Sequence, residues 1–346
     1  MKAEYRIPIL ALLSLVAFVF ISLVSCKKES IPDIEVLSFQ IPGHFPNPVY
    51  DFSNNPVTRD GFELGRKLFY DTRLSFDNSI SCASCHHPEL AFSDAGKALS
   101  QGVGGALGNR NSPSLSNLAW YTSFMWDGGV NHIEVSSLAA IEHPAELNIN
   151  FSELLDKLRG IASYQVMFEK AFGSSGIDDL RFFYAITQFT GLLISSDSKY
   201  DKVIQGKSTF NNQEQMGEIL FNQHCTSCHS GVLQTDFSFR NNGLDSEFVD
   251  EGRKHITNNP NDLGKFRVPS LRNVALTQPY MHDGRFSTLD DVLLHYTSGI
   301  QHSATLDPIF NENISLNASE RAAIVAFLQT LTDHSFIQNE KFSNPF

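Results

Sequence analysis

Cys82-Ala83-Ser84-Cys85-His86 and Cys225-Thr226-Ser227-Cys228-His229 are the stretches that decide the fold. Both read C-x-x-C-H, the attachment signature of a c-type haem. Two thiols on one helical turn reach the two vinyl groups along one porphyrin edge, and the histidine that follows swings its imidazole beneath the iron as the proximal ligand. A thioredoxin-like redox pair would not require a histidine directly after each motif. A zinc site built from two distant knuckles would more often draw on four cysteines. The chain holds five cysteines. With these four assigned, Cys26 alone remains, and none is left for a structural disulfide.

Outward from the two motifs the chain repeats itself. Leu64-Gly65-Arg66-Lys67-Leu68-Phe69 precedes the first motif and Met216-Gly217-Glu218-Ile219-Leu220-Phe221 the second. Each has the apolar spacing of an amphipathic helix. Pro113-Ser114-Leu115 with Asn117 corresponds to Pro269-Ser270-Leu271 with Asn273, and thirteen residues after each proline come Trp126-Asp127-Gly128 and His282-Asp283-Gly284. Two halves on one plan are implied. Helical runs close each half, from Leu180 to Ile194 and from about Ala318 to Leu331, the latter with Asn317 or Ser319 as cap. The polar stretch Ser195 to Asn212, which contains Gly206, puts the junction near residue 205. No alternating strand pattern appears. The expected fold is all-α, with two cytochrome c-like domains over residues 51–205 and 206–346, each wrapping loop around one porphyrin.

The N-terminus reads as an export signal. Lys2 and Arg6 precede an apolar run from Ile7 to Val24, and Leu23-Val24-Ser25-Cys26 supplies a cleavage site. This resembles the lipobox of bacterial lipoproteins, which implies a signal peptide over residues 1–25, an acylated Cys26 and a polar tether over 26–50. The alternative is an uncleaved anchor helix. Export fits covalent haem, and the expected location is the bacterial periplasm, tied to a membrane. The chain carries −12, and losing Lys2, Glu4 and Arg6 with the leader brings it to about −13. That sign excludes a phosphate-binding, nucleic-acid surface and suits basic redox proteins or an uncharged substrate.

The chain resembles the bacterial di-haem cytochrome c peroxidases, including their MauG-type branch. The resemblance runs from about residue 50 to 335 and rests on Leu68-Phe69-Tyr70-Asp71, Arg110-Asn111-Ser112-Pro113, Trp126-Asp127-Gly128, Pro144-Ala145-Glu146-Leu147, Val268-Pro269-Ser270-Leu271-Arg272-Asn273 and Pro279-Tyr280-Met281-His282-Asp283-Gly284. It implies a peroxide-binding haem in the first half and an electron-transfer haem in the second. Glu146, twenty residues after Trp126, stands where the family's catalytic glutamate is expected. A peroxidase needs such a group to carry a proton from the inner to the outer peroxide oxygen. Trp126 matches the tryptophan that the family places between the haems as a relay. In other members a histidine after the first motif blocks the oxidised haem. Here none occurs between His87 and His132, so the first iron should be accessible without reductive priming. His132 and His143 remain candidates for the distal pocket.

The sixth ligand of the second haem should lie nineteen residues after Thr277, at Tyr296. Methionine occupies that position in much of the family and tyrosine in the MauG-type branch. A thioether favours ferrous iron, whereas an anionic phenolate favours higher oxidation states and lowers the potential. Met281, His282 and His295 are rivals. Asn111, Thr277 and Pro279 match positions that surround a calcium ion between the domains in the family, and oxygen donors of that kind suit a hard cation.

Three activities are consistent with this reading. The first is reduction of hydrogen peroxide with electrons from a small donor cytochrome or another periplasmic redox protein. The second is MauG-like oxidation of a partner protein, against which Ser136 and Ala140 stand where that branch has glutamine and proline. The third is a non-enzymatic electron carrier, and a homodimer is compatible with all three. The two motifs predict two covalent haems per chain. A pyridine haemochrome assay on purified holoprotein should return that stoichiometry, and a lower value would remove the basis of the reading.

Overall fold

The computed structural model describes residues 37–311 and 314–346. Cys26, the leader and residues 26–36 of the expected tether lie outside them. The helices are α1 (Arg59–Tyr70), α2 (Ser136–Glu142), α3 (Phe151–Arg159), α4 (Ala162–Phe172), α5 (Asp179–Thr190), α6 (Lys199–Ile204), α7 (Asn212–His224), α8 (Lys254–Thr257), α9 (Leu289–Leu294), α10 (Ala318–Gln329) and α11 (His334–Ile337). The strands described are β1 (Phe239–Arg240) and β2 (Phe266–Arg267), an antiparallel pair. The expected all-α architecture with long loops holds, and no described helix is long and apolar enough to cross a membrane.

The repeated helix pairs carry each half. Thr58 caps α1 by accepting from the Gly61 amide, and α1 then lies across α5. A Cβ on Gly65 would stand 1.9 Å from the Ala185 carbonyl oxygen. In the second half α7, capped by Asn211, lies across α10, capped by Asn317, and a Cβ on Gly217 would meet the Ala323 carbonyl at the same 1.9 Å. Glycine is required at both crossings because the backbones touch there. The closing helices match the expected runs but end at Thr190 and Gln329.

The segment expected to be a polar junction contains α6, and its Asp201 is fully buried. Asp201 Oδ1 accepts from Arg272 Nη1 at 3.1 Å, Oδ2 pairs with Arg272 Nη2, and His44 Nε2 lies 2.9 Å from Oδ1. The Arg272 guanidinium holds the Asp201 carboxyl below its ordinary pKa, against the effect of burial. Arg272 also stacks over Phe45, while the Pro46 carbonyl accepts from Trp120 Nε1 at 2.8 Å. Residues 37–50 therefore do not run free as tether. Phe39 and Phe45 pack on Trp120, because these aromatic rings bury more surface there than solvent-exposed chain would.

The C-terminal end is also packed. Phe336 and Phe342 pack among Phe62, Phe69, Phe92 and Phe189 of the first half, and Tyr70 donates to the Phe342 carbonyl at 2.6 Å. The C-terminal segment thus packs on the first half, in an aromatic cluster separate from the one that holds residues 37–50. Asp201→Asn should cost about 3–5 kcal/mol, since it leaves a buried guanidinium without its counter-charge. Thermal unfolding of the holoprotein should show a correspondingly large fall in Tm, and an unchanged Tm would contradict a structural role for the pair.

Candidate haem sites

The first motif sits in a short 3₁₀ turn, Cys82–Ser84, closed by reciprocal hydrogen bonds between Ser81 and Ser84. The His86 amide donates to the Cys82 carbonyl at 3.0 Å, which places the imidazole below the turn. His86 Nδ1 lies 2.8 Å from the Phe92 carbonyl oxygen. That carbonyl is aimed by two consecutive residues in the left-handed region, Ala91 (φ +53°) and Phe92 (φ +59°). Such a conformation costs non-glycine residues of the order of 1–3 kcal/mol each. It persists because Phe92 is buried and because Ser114 Oγ donates to the Ala91 carbonyl at 2.6 Å.

The second motif repeats the arrangement. The His229 amide donates to the Cys225 carbonyl at 2.8 Å, and Nδ1 lies 3.1 Å from the carbonyl oxygen of Gln234, whose φ is +54°. Ser270 Oγ donates to the Leu233 carbonyl, again at 2.6 Å. The two Pro-Ser-Leu segments, recognised in sequence as a repeat, are therefore the struts that hold the loops behind the proximal histidines.

These residues fit a c-type haem. A ligating imidazole engages its Nδ1 with a carbonyl, which fixes the tautomer and leaves Nε2 for the metal. Burial pulls both His86 and His229 below the ordinary imidazole pKa, keeping them neutral as ligation requires. The four cysteines are free. Burial pushes the Cys82 and Cys225 thiols up to about 12, so they stand as neutral, apolar-packed groups until thioether formation.

The other candidate residues fall on different sides of these frames. Glu146 lies after α2, its backbone carbonyl accepting from Val103 at 3.0 Å. Its carboxylate lies within electrostatic range of the Cys82 and Cys85 thiols and disfavours their ionisation. Half of its side chain is exposed (51 %), yet surrounding atoms desolvate the carboxyl and raise its pKa; His143, 3.8 Å away, opposes that shift. Trp126 lies on the seam between the halves. Its Nε1 donates to the Asn111 carbonyl at 2.8 Å, its carbonyl accepts from the Arg267 amide at 2.8 Å, and the Asn111 amide donates to the His282 carbonyl at 2.7 Å. Arg110 clamps the same seam, reaching Asp127 at 2.6 Å and Asp250 at 2.7 Å.

Tyr296 faces the second site, where it interacts electrostatically with Cys225 and Cys228. Burial pushes its hydroxyl up to about 12, and its ring stacks on Phe310. A π-turn over His295–Gly299 follows α9 directly. Extra residues of this kind shift side chains off α-helical register. The histidine rivals are spoken for. His295 is buried, with Nε2 3.0 Å from the Asn242 carbonyl and Nδ1 against Gly299. His282 stacks on Phe266 with ring centroids 3.7 Å apart. Met281 stays in the site, its sulfur 3.5 Å from Asn242 Nδ2. His87 pairs with Asp94, and the exposed His132 with Glu134. Of the calcium candidates, Asn111 donates through Nδ2 to the carbonyls of Lys97 and Ala98, each at 3.1 Å, and the Gln278 carbonyl, between Thr277 and Pro279, accepts from Gly96 of the same segment at 2.8 Å. Sequence reasoning did not find Asn242. It lies in no repeat and carries no charge, so no local signal marked it.

A family profile described as di-haem cytochrome c peroxidase matches residues 59–209, and a cytochrome c profile matches residues 215–332. The chain is 31 % identical over 298 residues to the methylamine utilization protein MauG of Methylophilus methylotrophus, covering 85 % of this chain and 87 % of that one. It is 33 % identical over 284 residues to the cytochrome c551 peroxidase of Nitrosomonas europaea, covering 80 % and 81 %. Among solved structures, a MauG-like protein associated with microbial copper homeostasis superposes with a TM-score of 0.83 at 34 % identity, covering 89 % of this chain and 99 % of that one.

Proposed function

The chain belongs to the di-haem cytochrome c peroxidase family that includes MauG, a family of c-type haem oxidoreductases, and we propose that it reduces hydrogen peroxide to water at the His86 haem with electrons from a periplasmic donor such as a small cytochrome c. The observation that carries this is a repeated frame with different company: the two proximal loops are alike, but Glu146 lies within electrostatic range of the first motif's cysteines and the Tyr296 phenol within range of the second's. When bound, each haem supplies an iron that exchanges electrons, and the first also supplies a coordination position for peroxide.

In this reading His86 and His229 hold their irons through Nε2, with Nδ1 pinned to carbonyl oxygens. Glu146 takes the proton from the inner peroxide oxygen and returns it to the outer one, so that the O–O bond parts heterolytically. The raised pKa suits that exchange, bringing the carboxyl closer to the pH at which it both accepts and releases a proton. Trp126 relays electrons across the seam, and the Asn111 carbonyl dipole at its N–H eases transient positive charge on the indole. Tyr296 as sixth ligand would hold the second haem at low potential. Asn111, Thr277 and Pro279 offer oxygen donors for a calcium ion, and the Leu23–Cys26 sequence supports a lipid anchor.

Tyr296 also favours a second reading, a MauG-like oxidase of a protein substrate, because a phenol-ligated haem shares oxidising equivalents better than it stores electrons. Electron paramagnetic resonance of the oxidised protein should show one high-spin and one low-spin haem. Steady-state turnover with reduced cytochrome c and peroxide should then separate the readings; no turnover, whether or not the protein is pre-reduced, would overturn the peroxidase.

Glu146→Gln should slow the reaction with peroxide by roughly 10²–10⁴-fold while leaving both haem spectra in place. Glutamate acts here in its ionised form, which is present above its pKa. The wild-type rate should therefore fall as pH drops through a midpoint above the ordinary glutamate value, and Glu146→Gln should lose that dependence. Stopped-flow mixing with peroxide across pH measures both, and a variant as fast as wild type would remove Glu146 from the chemistry.

A further inference from the structure

Asn242 occupies a position that the peroxidase chemistry has not yet used. Its Nδ2 lies 3.2 Å from Tyr296 Oη and 3.5 Å from Met281 Sδ, so two groups of iron-ligating type converge on one amide nitrogen. An asparagine amide has two N–H donors and can serve both at once. Its backbone carbonyl accepts from His295 Nε2 at 3.0 Å, which turns the neighbouring histidine away from the same space.

The platform beneath Asn242 is rigid. Asn241 is buried and its side chain donates to Ser303 Oγ and Thr305 Oγ1, each at 3.0 Å, while its Oδ1 accepts from the Gly243 amide at 2.9 Å. The Gly243 carbonyl accepts from Gln301 at 2.7 Å. Met281 is equally constrained. It stands in the left-handed region at φ +75°, as does Met125 at φ +64°, its counterpart in the repeat. Met281 therefore arrives at the second site by the shared plan of the two halves, whereas Tyr296 arrives by the π-turn. Nothing in the backbone alone favours the oxygen over the sulfur.

We propose that Asn242 is the positioning residue that selects Tyr296 over Met281 as sixth ligand of the second haem, by donating to the phenol oxygen and restraining the thioether with its second N–H. The proposal rests on Tyr296 being the ligand. It adds that the choice depends on a residue that acts through Tyr296 and Met281. Without the amide, the methionine already present competes for the iron, and the haem shifts towards the high-potential, thioether-ligated type.

The experiment uses oxidised holoprotein, absorption and electron paramagnetic resonance spectra, and spectroelectrochemical potentials of wild type, Asn242→Leu, Asn242→Gln, Asn242→Leu with Met281→Leu, and Tyr296→Phe. Leucine keeps the side-chain size and the backbone carbonyl that anchors His295. Asn242→Leu should lose the tyrosinate-to-iron band, gain a thioether-to-iron band and raise the potential of the second haem. The added Met281→Leu should abolish the thioether band, and Asn242→Gln should restore the tyrosinate signature in part. An unchanged first-haem spectrum and two haems per chain report correct folding, and a variant lacking them is replaced by the Asn242→Gln comparison. Wild-type spectrum and potential in Asn242→Leu would overturn the selection. Identical spectra for Asn242→Leu with and without Met281 would overturn the role of the thioether. A Tyr296→Phe spectrum identical to wild type would instead remove Tyr296 as ligand, and the proposal with it.

Discussion

Everything in this protein hangs on keeping two imidazoles still. A histidine that follows the second cysteine is tied to its porphyrin at one end only, and the ring is free to turn until its other nitrogen meets a fixed acceptor. Both halves meet that requirement with a carbonyl delivered by a left-handed, non-glycine residue, Phe92 in one and Gln234 in the other. The conformational cost of those residues is met by burial and by a serine from the distant Pro-Ser-Leu strut, at the same 2.6 Å in each half. The helix crossings at Gly65 and Gly217 serve the same end, since they bring the helix that leads into each motif against the closing helix with no side chain between.

On that common frame the distal sides diverge, and divergence is what makes a two-centre enzyme out of a duplication. Met125 and Met281 show how far the plan is shared, because even their unusual backbone angles agree. After them the halves part. The first half places a short helix, α2, and then Glu146, whereas the second places α9, a π-turn and Tyr296. A carboxylate with a raised pKa is suited to moving protons, and a phenol as iron ligand would set a potential. In the proposed function one frame would thus serve a proton-handling site and an electron-handling site.

Much of this was legible in sequence because its causes are local or periodic. The C-x-x-C-H motifs dictate covalent chemistry by spacing, and the glycine, proline, serine and asparagine of the repeats mark crossings and turns that no other residue fills as well. The placements of Glu146 and Tyr296 rest on resemblance alone, because a single carboxylate or tyrosine carries no spacing signature of its own. What sequence did not disclose is long-range. Asp201 lies in the stretch whose polarity marks the domain junction, and only the fold brings Arg272 against it. His295 and Tyr296 are adjacent, and the π-turn that separates their directions leaves no periodic trace. Residues 37–50 read as part of a tether, because Trp120, the aromatic residue that holds them, lies some seventy residues further along the chain, and the packing of Phe336 and Phe342 on the first half likewise leaves no local signal.

Those returning ends bear on function through distance. Electron transfer between two haems depends steeply on their separation, so the seam that carries Trp126 has to be rigid. Arg110 spans it with Asp127 on its own half and Asp250 on the other, and the Asn111 backbone joins Trp126 to His282 across it. Away from the seam, Ser195 links Asn117 to Asn273, the equivalent residues of the two repeats. The C-terminal phenylalanines then lock the second half onto the helices of the first. Each contact is modest, but all resist the same rocking motion. If Trp126 relays electrons as proposed, a duplicated fold joined by a linker would leave the relay distance to chance, whereas the seam contacts and the C-terminal segment packed on the first half make that distance a property of the fold.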